Sequence, residues 1–186
     1  MRLFVAVELP DEIKDRLVAL SSGLHGARWV DPAQMHLTLR FIGEVDRPQA
    51  DDVAGALGQV YAPRFDVELA GLGEFSARGR PSVLWAGVRP NAALTALQSR
   101  IESAVRRAGV APETRKFHPH VTLARFERGG GTPQLGRYFA DHEPFTAGPF
   151  AADEFVLFSS LLGSEGATHI AEATYPLHYA REAAAE

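Results

Sequence analysis

Two short stretches of the chain share one form. His36-Leu37-Thr38-Leu39 and His120-Val121-Thr122-Leu123 each read His, apolar, Thr, apolar. Residues two apart on a strand point the same way, so each histidine shares a face with its threonine, and the leucines and valine turn to the core. An imidazole titrates near ~6.5, so one histidine can take a proton while another gives one near neutral pH. Displacement at phosphorus needs that pairing. A base activates the nucleophile, an acid protonates the leaving oxygen, and the two stand on opposite sides of an in-line attack. A threonine hydroxyl beside each histidine can hydrogen-bond a non-bridging phosphate oxygen and stabilise its charge. This chemistry needs no metal and no cofactor. Because the tetrads are alike, their spacing leaves open which histidine is the acid.

The tetrads need strands, and the flanking sequence supplies them. Residues 35–43 alternate His36, Thr38 and Arg40 against Leu37, Leu39 and Phe41, and 120–126 form a similar strand. Ahead of the first lies an apolar strand at 3–9, ended by Pro10. A helix follows over 11–26, spaced by Ile13, Leu17 and Leu20, and then a short extended piece at 27–30 before the Asp31-Pro32 turn. Ahead of the second lies a strand at 82–88, ended by Pro90, then a helix over 91–109. Leu94, Leu97, Ile101 and Val105 form its apolar stripe and Gly109 its C-cap. Strand, helix, polar-faced strand thus occurs twice. Between the two units come a helix at 48–60 and a strand with glycine bends at 65–75. After them come a Gly/Pro loop at 129–136, two paired strands at 155–160 and 168–180, and a frayed tail at 181–186. The expected fold is α+β. One bilobal domain over 1–186 would hold two pseudo-symmetric lobes, each an antiparallel sheet flanked by helices, around a central cleft.

Three stretches carry a resemblance to a known family: "MRLFVAVELP" at the start, "MHLTLRFIGEV" at 35–45 and "FHPHVTLAR" at 117–125. In that order and separation they resemble the two-histidine (2H) phosphoesterase superfamily. Within it the chain is most similar to the RNA 2',3'-cyclic phosphodiesterases, also called 2'-5' RNA ligases. The resemblance implies an RNA or oligonucleotide substrate ending in a 2',3'-cyclic phosphate, hydrolysed to a 2'-phosphate in RNA processing. It implies His36 as the proton donor to the departing 3' oxygen and His120 as the acceptor that activates water. It adds Arg125 near the phosphate and Phe41 as a stack for the terminal base. By microscopic reversibility, a 5'-hydroxyl in place of water would form a 2'-5' linkage.

Alternation sets a condition on two of these residues. Phe41 and Arg125 each lie five positions after their histidine, which puts them on the opposite face of a regular strand. They reach the cleft only where the strand twists, bulges or ends. Arg40, four after His36, satisfies the alternation and is a second substrate-binding candidate. His118 shares the parity of His120, but Pro119 interrupts the strand between them, so His118 reads as a cleft-edge or structural residue. His25 lies near a helix end, where C-terminal capping accounts for it. His142, His169 and His178 have no partner pattern and read as structural or exposed.

Composition bounds the alternatives. The chain has 186 residues, 46% hydrophobic and 23% charged, no cysteine, and a formal net charge of -4. The absence of cysteine excludes disulfides and thiolate metal sites and suits a cytoplasmic setting. The net charge argues against a general nucleic-acid coat. It leaves room for a local cationic pocket from Arg78, Arg80, Arg115 and Arg125. Arg78 and Arg80 read as part of a solvated loop that could border an RNA path. The N-terminal apolar run is broken by Glu8 and is too short for a signal or a membrane span. The length suffices for a monomer. Two other functions compete. A binding module would keep the cleft without turnover. A metallohydrolase would use His118 and His120, but no carboxylate lies nearby in sequence and the spacing fits no familiar zinc set.

Overall fold

Along the described residues of the computed structural model (1–126, 132–163 and 166–179), nine strands and four helices follow in order. They are β1 (Arg2–Glu8), α1 (Asp11–Val18), β2 (Ala27–Trp29), β3 (His36–Glu44), α2 (Arg47–Leu57), β4 (Phe65–Ala77) and β5 (Arg80–Val88). Then come α3 (Ala92–Arg107), β6 (His120–Phe126), α4 (Thr132–His142), β7 (Thr146–Ala152), β8 (Glu154–Gly163) and β9 (Gly166–Pro176). The expected 181–186 tail and residues 129–131 of the expected loop lie outside the described residues.

The strands form two antiparallel sheets, in the orders β3-β1-β8-β9 and β2-β6-β5-β4-β7. Each motif strand is paired with the strand that opens its repeat, β3 with β1 and β6 with β5. The α+β fold of two related sheets is therefore present. Two connections cross the simple repeat. β2 leaves its neighbours in sequence to pair with β6. β8 and β9 close the first sheet beside β1, so both ends of the chain contribute to it.

The helices follow from their caps and stripes. Asn91 accepts from the Leu94 N–H at 3.0 Å and starts α3, whose Leu94, Leu97, Ile101, Ala104 and Val105 are buried. Asp46 does the same for α2 through Gln49 at 2.9 Å. The helix expected at 11–26 stops at Val18. Gly23 and Gly26, at φ 83° and 78°, sit in the left-handed region and turn the chain toward β2. The expected loop at 129–136 gives way to α4 from Thr132, with Pro133 in its first turn, a position where a missing N–H costs nothing. Gly136 lies inside that helix, against its usual reading as a breaker. One contiguous core joins the two sheets. Leu37 and Leu39 from β3, Val121 and Leu123 from β6, and Leu97 and Ile101 from α3 all lie in it.

Candidate active site

β3 and β6 carry the two tetrads and repeat one burial pattern. In each, the histidine and threonine are half-buried, the two apolar residues and the one after them are buried, and the next is exposed. The alternation breaks at the same place in both. Against β1, Thr38 faces Ala6, Arg40 faces Val5 and Phe41 faces Phe4, so Leu39 has no partner of its own. Against β5, Thr122 faces Trp85, Ala124 faces Leu84 and Arg125 faces Val83, and Leu123 is the skipped residue. A bulge three residues after each histidine thus reverses the parity. It returns Phe41 and Arg125 to the face of His36 and His120.

The same bulge sends Arg40 the other way. It lies opposite Val5, on the core side, and is 6% exposed. Its Nε donates to Glu102 of α3 at 2.5 Å, and its other nitrogens donate to the carbonyls of Ala111, at 2.6 Å, and Phe41. Its guanidinium is thereby committed to internal partners and ties β3 to α3. In the second sheet the equivalent position is the buried Ala124.

His36 stands in an aromatic enclosure. Its ring stacks on Phe4 at 4.8 Å, with Phe158 of β8 at 6.3 Å. His169 of β9 stands edge-on to both His36 (5.1 Å) and Phe4 (4.9 Å). Burial pushes the His36 imidazole down to about 4. The neighbouring charges of His169, Lys14 and His120 act in the same sense, and a hydrogen bond to the Gln34 backbone opposes them. His120 is held differently. Its Nδ1 lies 2.7 Å from the His118 carbonyl. A carbonyl only accepts, so Nδ1 carries the proton and Nε2 is left as the basic nitrogen of the neutral ring. Phase is set on the other side by Phe75, edge-on at 4.9 Å, and by Trp85 at 6.2 Å. Burial lowers the His120 imidazole too, helped by the charges of His118 and Arg125. Both motif histidines thus bond to the backbone two residues upstream.

Trp85 takes the place on β5 that Ala6 holds on β1. A Cβ at Gly73 would come within 2.4 Å of its ring, so that glycine is the space into which the indole fits. A pocket of about 480 Å³ opens beside His120, with Thr38, Arg40, Phe41, Phe75, Lys116 and His118 in its walls. Phe41 is 49% exposed there, an aromatic face left for a ligand. A second hollow, between Tyr61 and Arg107, holds none of the histidines.

This geometry has relatives. The chain matches the LigT like phosphoesterase family over residues 7–85 and 87–168, one tetrad in each segment. It belongs to that family. An RNA 2',3'-cyclic phosphodiesterase of Aeropyrum pernix is 36% identical over 138 residues, covering 74% of this chain and 78% of the relative. One of Thermotoga maritima is 30% identical over 172 residues, covering 89% and 90%. The crystal structure of E. coli LigT complexed with 3'-AMP has a TM-score of 0.76 and 26% identity, covering 95% of this chain and 97% of that one.

Within this LigT-like site, Phe41 shares a strand face with His36 and Thr38, and Arg125 one with His120 and Thr122, while the Arg40 guanidinium bonds Glu102 and the Ala111 and Phe41 carbonyls. His118 is at the cleft edge and serves His120 through its carbonyl. Of the histidines without a partner pattern, His142 bonds the Tyr138 carbonyl and His178 stacks on Tyr61. His169 differs, since it touches His36. Phe4, Phe158, His169 and Lys14 were not predicted for the site. Their signal in sequence is parity alone, as Phe4 and Ala6 alternate on β1, and His169 stands between Ala167 and Ala171 on β9. Among the described residues, no three His, Asp or Glu side chains gather as a metal-binding set.

Proposed function

We propose that the chain hydrolyses 2',3'-cyclic phosphate termini of RNA or oligonucleotides to 2'-phosphates, through His36 and His120 and without a metal. The observation that carries this reading is the matched pair of strands, bulged alike, each holding its histidine, its threonine and the residue five after the histidine on one strand face. The 2',3'-cyclic phosphodiesterase activity named for the relatives supports the reaction class.

In the mechanism, Nε2 of His120 takes a proton from water as its oxygen attacks phosphorus. The P–O3' bond breaks in line, and protonated His36 gives its proton to the departing O3'. The Thr38 and Thr122 hydroxyls donate to the non-bridging oxygens. Arg125 serves the phosphate, and Phe41 stacks on the terminal base. Arg40 acts from behind, by holding β3 on α3 through Glu102. Burial holds the proton affinity of His36 low. A bound phosphate anion supplies a counter-charge that raises it, so that His36 carries the proton it gives to O3'. A 5'-hydroxyl in place of water would run the same path to a 2'-5' linkage.

The test is phosphorus NMR of the product formed from a nucleoside 2',3'-cyclic phosphate in EDTA. A 2'-phosphomonoester is expected. A 3'-phosphomonoester would contradict the assignment of the leaving oxygen, and loss of turnover restored by a metal would contradict the metal-free mechanism.

A further inference from the structure

One feature of the cleft face lies outside the two tetrads. β2 is a short edge strand on β6, with Ala27 opposite Phe126, Arg28 opposite Arg125 and Trp29 opposite Ala124. Residues directly opposite on neighbouring strands share a face. Ala27, Trp29 and Phe126 pack on the core, while Arg28 and Arg125 are exposed. The bulge at Leu123 puts Arg125 on the face of His120 and Thr122, so Arg28 is there too. Two arginines directly across a strand pair repel each other and lower stability. Neither has a carboxylate within 4 Å among the described residues. The face therefore carries a paired positive charge that no carboxylate among the described residues neutralises.

Its position gives the pair a use. The β5 partners of His120 and Arg125 are Gly87 and Val83, four positions apart, or about 13 Å along the strand. The charge of Arg125 already reaches His120. A planar guanidinium suits a phosphate, which it can meet with two hydrogen bonds. In the proposed mechanism Arg125 serves the phosphate held by the histidines, so Arg28, directly across the strand pair from it, stands beside the next phosphate of a nucleotide chain.

Resting on the proposed cyclic phosphodiesterase reading, we infer that Arg28, beside the Arg125 that serves the cyclic phosphate, binds the phosphodiester on the 5' side of the terminal nucleotide. The protein is then selective for oligonucleotide ends over mononucleosides.

Four substrates separate the sources of that charge. They are a nucleoside 2',3'-cyclic phosphate, its 5'-phosphorylated form, a dinucleotide ending in a 2',3'-cyclic phosphate, and that dinucleotide with a neutral methylphosphonate linkage. Wild type is expected to prefer the charged dinucleotide over the methylphosphonate by about tenfold in kcat/KM. Arg28→Gln should bring that ratio near unity, and Arg28→Lys should restore part of it. The salt dependence of kcat/KM on the charged dinucleotide should lose roughly 0.7 of its log–log slope in Arg28→Gln, one phosphate contact on a single strand. A ratio unchanged by Arg28→Gln overturns the inference while leaving the hydrolase reading intact. The 5'-phosphorylated mononucleoside carries a phosphate at the same place and should regain part of the dinucleotide's advantage; no gain over the unphosphorylated form also overturns the inference. Failure of wild type to hydrolyse any of the four overturns the underlying reading, and this inference with it.

Discussion

The enclosure of His36 makes a prediction that needs no substrate. An unfolded chain protonates this histidine near 6.5, but the folded protein holds it down to about 4, chiefly by burial. Between those values the unfolded state binds the proton and the folded state refuses it. Folding stability is therefore lost as pH falls through that window and is complete above it. The full difference is about 3 kcal/mol, or roughly 6–12 °C in Tm for a chain of this size. His120 and His169, also lowered by burial, act in the same direction. Comparison with His36→Phe isolates the one residue, since phenylalanine keeps a ring on Phe4 and cannot titrate. Urea unfolding at pH 7, 5.5 and 4.5 is the assay. Relative to wild type, the variant should gain about 1 kcal/mol between pH 7 and 5.5, and about 2–3 kcal/mol by pH 4.5. Parallel losses in the two proteins would refute the reasoning, because His36 would then titrate alike folded and unfolded.

Other consequences follow from the same geometry. Phe41→Ala should raise KM for nucleotide substrates on the order of tenfold with a smaller change in kcat, as expected for a lost base stack. Steady-state kinetics check this, and a fall in kcat alone would contradict it. Arg40→Met leaves the Glu102 carboxylate without its buried partner and should cost about 3 kcal/mol in urea unfolding. Stability within experimental error of wild type would show that the link between β3 and α3 is dispensable. His169→Phe removes a charge that repels the His36 proton, so the acid limb of kcat/KM, which the more depressed His36 sets in the free enzyme, should move to higher pH. An unmoved limb, or one shifted lower, would separate the two rings electrostatically.

Much of this site was legible in the sequence because it rests on a two-residue period. The tetrads fixed which side chains of 36–39 and 120–123 share a face, and Leu37, Leu39, Val121 and Leu123 are buried accordingly. The same rule favoured Arg40 over Phe41; the bulge reverses the parity there, so the Arg40 guanidinium pairs with Glu102 while the residue still borders the pocket. A bulge adds one residue to one strand, and neither leucine that forms it differs from an ordinary core residue. Only the recurrence of exposure five positions after each histidine hints at it. The family resemblance named Phe41 and Arg125 without a physical reason, and the bulges supply one. His169 was beyond reach for another cause. β9 reaches His36 only through the order β3-β1-β8-β9, a pairing between the two ends of the chain that local pattern does not encode. The early end of α1 was visible in Gly23 and Gly26, but the apolar spacing through Leu20 masked it.

The proposed reaction requires the two histidines to act as one unit. The decisive measurement is kcat/KM on a nucleoside 2',3'-cyclic phosphate in EDTA for wild type, His36→Ala, His120→Ala and the double variant. Each single variant should fall by roughly 10³-fold or more, and the double variant little further, as expected when acid and base serve one displacement. Substantial activity in either single variant, or losses that multiply in the double, would contradict it.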